Sequence, residues 1–64
     1  MVFTNEMARP HVARLLNEAD EHGLDLESDD AYVEVRQHVS AGTINDFWAK
    51  VIVQKARWIA RARA

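Results

Sequence analysis

The sequence predicts a small all-α protein: one three-helix domain over residues 1–64 with a long C-terminal helix. Three observations lead there. Apolar residues recur at intervals of three and four in three separate stretches, the period of a helix face. The two glycines, Gly23 and Gly42, fall between those stretches, where helices end. Serine and threonine stand ahead of the second and third stretches, where helix caps belong.

The first helix is expected to start near Pro10, because proline is tolerated in a first turn whose N–H groups have no partner. Val12, Leu15, Leu16 and Ala19 then form one face, and His22-Gly23 ends the helix. Thr4 offers an earlier cap for a turn containing Met7, at the expense of a proline inside the helix.

The second helix is expected to take Ser28 as its cap, with Asp29 and Asp30 in a first turn that favours negative charge. Tyr32, Val35 and Val39 make its apolar stripe, and Ala41-Gly42 ends it. The third is expected to begin at the Thr43 cap, with Asp46 at the third helical position in a near capping box, and to run to Ala64.

At about 100° per residue, Asp46, Lys50, Gln54, Arg57 and Arg61 fall on one narrow stripe of this third helix. Ile44, Phe47, Trp48, Ala49, Val51, Ile52, Val53, Ala56, Trp58, Ile59, Ala60 and Ala62 surround it, interrupted by Lys55 and Arg63. A surface helix needs an apolar arc of somewhat over 100°, and this one spans about twice that. Two short helices cannot cover it, so part of it is expected to meet something outside the chain. Trp48 and Trp58 lie about 80° apart around the axis, which allows one in the core and the other at an interface. Phe47, Trp48, Val51, Trp58 and Ile59 are therefore candidate partner-binding residues.

Charge is divided along the chain. Residues 1–42 carry three basic and nine acidic side chains, a net −6, and residues 43–64 carry five basic and one acidic, a net +4. The division fits either charge pairing within the fold or an acidic face for partners. In the second case the acidic stretch from Glu18 to Glu34 is the contacting surface, with Asp25, Glu27, Asp29 and Asp30 as its candidate partner-binding residues.

The chain has no cysteine, which excludes disulfides and thiolate metal sites and leaves self-association or a partner as an added source of stability. No stretch is long and apolar enough to cross a membrane, and no secretory signal is visible, so a cytoplasmic location is expected. His11, His22 and His38 lack the i, i+4 spacing of a helical metal pair. The run from Asp25 to Asp30 lacks the glycine and closing glutamate of a calcium loop. No catalytic residues, no metal and no cofactor are expected: a helical chain of this size has little room for a pocket that holds an acid and a base in geometry. A net acidic chain whose third helix is mostly apolar is a poor reader of a nucleic-acid groove.

Residues 15–53 resemble the VbhA-type antitoxins that inhibit Fic-domain toxins. The matching pieces are His22-Gly23-Leu24, Ser28-Asp29-Asp30-Ala31 and Gly42-Thr43-Ile44, with the helix from Ala31 to Val39 in similar register. The resemblance implies a three-helix inhibitor whose first helix presents a glutamate to the toxin's nucleotide site. The family's motif is Ser or Thr, three residues, Glu, then Gly or Asn. Aligned on Gly23, this chain has His22 at the inhibitory position; aligned on Glu21, it has Asn17 for the Ser or Thr and His22 for the glycine. Glu21 is the residue to which the inhibitory role carries over.

Three functions from different classes follow as expectations. The first is an antitoxin-like inhibitor that binds and neutralises a toxin enzyme. The second is a phage- or plasmid-type inhibitor that lays its acidic stretch into a nucleic-acid-handling defence complex. The third is a structural homodimer or subunit joined through the third helix.

Overall fold

The computed structural model describes residues 3–38 and 46–63. They form three helices, α1 (Asn5–His22), α2 (Asp30–His38) and α3 (Asp46–Arg63), and no strand occurs among them. The expected Thr43 cap, the Ala41-Gly42 break, Ile44 and Val39 lie outside the described residues.

Helix α1 starts at Asn5 rather than near Pro10, which corrects the expected boundary. Thr4 is extended (φ −120, ψ 166) and its Oγ1 accepts the Met7 N–H at 3.2 Å. Its carbonyl accepts the Ala8 N–H at 3.1 Å. Phe3, just before the cap, and Ala8, four positions after it, both join the buried core, the arrangement of a hydrophobic staple. Pro10 costs α1 the N–H that the Glu6 carbonyl would accept. Both residues are exposed, and the cap and staple offset the cost.

Phe3 was not foreseen from the sequence, yet its ring lies 6.1 Å from His11 and 4.9 Å from Trp48. Phe3→Ala is expected to cost about 3 kcal/mol, the range for truncating a buried aromatic. Chemical denaturation followed by circular dichroism should show a lower midpoint.

At the other end of α1, Gly23 adopts the left-handed conformation (φ 71, ψ 23), and the Leu24 N–H returns to the Glu18 carbonyl at 3.4 Å. The loop that follows turns on Asp25 and Ser28. Asp25 Oδ1 accepts the Glu27 N–H at 3.0 Å. The Ser28 hydroxyl donates to the Asp25 carbonyl at 2.8 Å and accepts the Asp30 N–H at 3.2 Å, so it serves the first turn of α2. Leu26, in the middle of this loop, is buried in the core.

The core is the seam where the three helices meet. Helix α3 contributes Ala49, Ile52, Val53 and Ala56, spaced i, i+3, i+4 and i+7. Helix α1 contributes Ala8, Val12, Leu15 and Leu16, and α2 contributes Ala31 and Val35. Ala8, Ala31, Ala49 and Ala56 have essentially no exposed surface. Such small residues let neighbouring helices approach closely. The contact between α1 and α3 is the most extensive of the three. Within the described residues α1 and α3 are eighteen residues each, so the domain is all-helical with the long C-terminal helix that the sequence predicts.

Candidate partner-binding face of the third helix

One side of α3 is covered by the chain itself; the polar stripe beside it reaches back to the α1–α2 loop. Arg57 Nε donates to the Leu26 carbonyl at 2.5 Å, and its guanidinium stands 5.6 Å from the centre of the Tyr32 ring. Arg61 pairs with Glu27 at 2.5 Å. Arg36 of α2 pairs with Asp46 at the start of α3, and Arg14 of α1 with Glu34 of α2 at 3.5 Å. Part of the charge division in the sequence is thus resolved inside the fold. The Arg61–Glu27 and Arg36–Asp46 pairs are largely exposed and contribute at most about 1 kcal/mol each, whereas Arg14–Glu34 is partly buried. Their main effect is orientation, because they hold the loop and α2 against one side of α3.

The opposite side of α3 is not covered. Phe47 is 64% exposed, Trp58 61% and Ile59 38%, with Val51 half-buried between them. Phe47, Val51 and Trp58 are spaced i, i+4 and i+11, a stripe of three turns and roughly 16 Å at the helical rise. The two tryptophans differ. Trp48 is half-buried, packs on the core beside Phe3 and takes Phe47 edge-on at 5.7 Å. Trp58 projects from the last third of the helix.

Two open clefts meet at Trp58. The first, of about 500 Å³, runs between α1 and α3 and is lined by Val12, Ala13 and Leu16 on one side and Trp58 and Ile59 on the other. Its polar lining is Asn5, Arg9 and Lys55. The second, of about 330 Å³, lies along α3 between Phe47, Val51 and Trp58, with Lys50, Gln54 and Lys55 at its edge. A shallower hollow beside Tyr32 and the exposed Val33 adjoins Lys50 on the α2 side.

The acidic candidates lie elsewhere. Glu21 is exposed in the last turn of α1. Asp25 and Glu27 are exposed but serve the loop, one through the Asx turn and the other through Arg61. Asp29 and Asp30 are exposed at the start of α2. The structure therefore gathers Phe47, Val51 and Ile59 around Trp58 with none of the five carboxylates in the two clefts there, Asp29 lying in the adjoining hollow beside Lys50. The side of the first cleft formed by α1, with Arg9 at its edge, had no signal in the sequence, where Val12 and Leu16 show only as one face of a helix.

No family model, no curated protein and no solved structure matches the chain. The chemistry of the surface has to be read from the residues themselves. Among the described residues no polar side chain is buried, so none is held away from water as an acid or base. No three of their His, Asp and Glu side chains are grouped to hold a metal ion. No described helix is long and apolar enough to cross a membrane.

Proposed function

We propose that this chain is a small protein-binding module, an antitoxin-like inhibitor that docks on a partner enzyme through the outer face of α3. The observation that carries the reading is the pair of aromatic side chains, Phe47 and Trp58, left more than half exposed on one helix while the buried core forms without either. Isolated surface apolar residues need no explanation, but a contiguous aromatic and aliphatic stripe bordered by clefts is the signature of an interface. The test is capture from the native host with two baits, the wild-type chain and Phe47→Ser/Trp58→Ser. A partner held at one-to-one by the first and lost by the second supports the reading. A partner held equally by both removes α3 from the interface.

Within this reading the VbhA-type resemblance makes a narrower proposal. Glu21 stands exposed in the last turn of α1, two residues before the left-handed Gly23, a position from which it can reach into a partner's site. If the captured partner is a Fic-domain enzyme, Glu21→Ala is expected to leave the complex intact and abolish inhibition of nucleotide transfer. Full inhibition by that variant would refute the glutamate mechanism. The mimicry of nucleic-acid phosphate has weaker support, because Asp25 and Glu27 already stabilise the loop that carries them.

A further inference from the structure

Every charged group lining the two clefts that meet at Trp58 is a cation: Arg9 from α1, and Lys50 and Lys55 from α3. Among the described residues none of these three has an ion-pair partner, whereas Arg14, Arg36 and Arg61 each face a carboxylate and Arg57 is held by the Leu26 carbonyl and the Tyr32 ring. This is unexpected in a chain with more acidic than basic residues and a net charge of −2. Neither cleft has a carboxylate in its lining, and Asp29 enters only the adjoining hollow beside Lys50, so whatever fills the clefts meets an apolar lining whose charged groups are cations.

A second copy of the chain is a poor fit. A two-fold interface sets the same patch against itself. It would bring Arg9, Lys50 and Lys55 toward their own copies, and Asp46, the one acidic residue of α3, is already paired with Arg36. Like charges brought together across an interface are penalised. The shape of the site narrows the choice further. A cleft running between two packed helices accepts a third helix whose apolar anchors repeat at i, i+3, i+4 and i+7.

We propose that the occupant of the cleft between α1 and α3 is an acidic amphipathic helix of a different protein, with its apolar face against Val12, Leu16, Trp58 and Ile59 and its carboxylates toward Arg9 and Lys55. The proposal rests on the reading of α3 as the docking face and adds the chemistry of what docks there.

The probe is a displayed library of single helices with fixed apolar anchors and randomised flanking positions, selected against the full-length chain. The expected result is enrichment of Asp and Glu at the flanks. Binding of the selected helices should fall at least about tenfold in Arg9→Gln/Lys55→Gln and weaken with added salt. It should also be lost in Trp58→Ser, with circular dichroism confirming that both variants remain folded. Helices that need Trp58 but show no acidic bias overturn the proposed occupant and leave the docking face standing. Helices indifferent to Trp58→Ser, or a library that yields no binder, overturn both. A Trp58-dependent dimer in equilibrium sedimentation assigns the cleft to a second copy and overturns the acidic helix.

Discussion

Replacing Ile52 with alanine is expected to leave the chain largely unfolded at 25 °C. Ile52 has no exposed surface and sits at the centre of the buried stripe of α3, where that helix meets the rest of the core. Truncating a fully buried isoleucine to alanine costs about 2–5 kcal/mol, from lost transfer energy and the cavity left behind. A single core in a chain of this length rarely supplies more than about 3–5 kcal/mol in total. No disulfide constrains the unfolded state, because the chain has no cysteine. The loss is therefore of the same size as the whole stability. Ile52→Val removes one methylene and is expected to cost about 1 kcal/mol, leaving a folded protein with a lower midpoint. Circular dichroism during urea titration separates the three proteins. A wild-type midpoint for Ile52→Ala would mean that α3 is not held by this core.

The second large effect is on binding rather than stability. Phe47→Ser/Trp58→Ser is expected to weaken the partner complex by roughly 30-fold or more for each aromatic, since an interface hot spot contributes about 2 kcal/mol or more. The folded state should change little, because both side chains are already more than half in water and substitutions at such positions fall mostly within about 0.5 kcal/mol. The contrast with Ile52 is the informative part. Both positions are apolar and both lie on α3, but one variant should lose the fold and the other the partner. Calorimetric titration of the captured partner, beside a thermal melt of each variant, measures the two effects independently. A variant that melts like wild type and binds like wild type would show that the exposed stripe is not the interface. Trp48→Ala should behave differently from Trp58→Ala, with a clear loss of stability, because its ring packs on the core beside Phe3.

The helices were legible where their signals are local. Gly23 at the end of α1, Ser28 ahead of α2, and the i, i+3, i+4 pattern of Val12, Leu15 and Leu16 each act within a few residues of themselves, so the sequence displays them directly. The start of α1 differs from the sequence expectation because Thr4 is the only local signal that opposes Pro10. What tips the balance is Phe3, whose burial depends on Trp48, forty-five residues further along the chain.

The candidate site divides in the same way. The sequence by itself determined that the apolar arc of α3 is wider than one packing face needs, and that Phe47, Trp48, Val51, Trp58 and Ile59 lie within that arc; the two covering helices it took as short include α1, which is eighteen residues long. It also showed the opposite charges of the two parts of the chain. Only the tertiary structure decided which side of the arc is covered: Ala49, Ile52, Val53 and Ala56 face inward, Trp48 is half-buried, and Phe47 and Trp58 remain in water. It likewise decided that Arg57 and Arg61 are engaged by the loop after α1, while Arg9, Lys50 and Lys55 border the open clefts. The physical reason is that helical periodicity and capping are properties of neighbouring residues. Burial and ion pairing belong to pairs of segments, here often thirty or more residues apart, and are set by how the helices pack together.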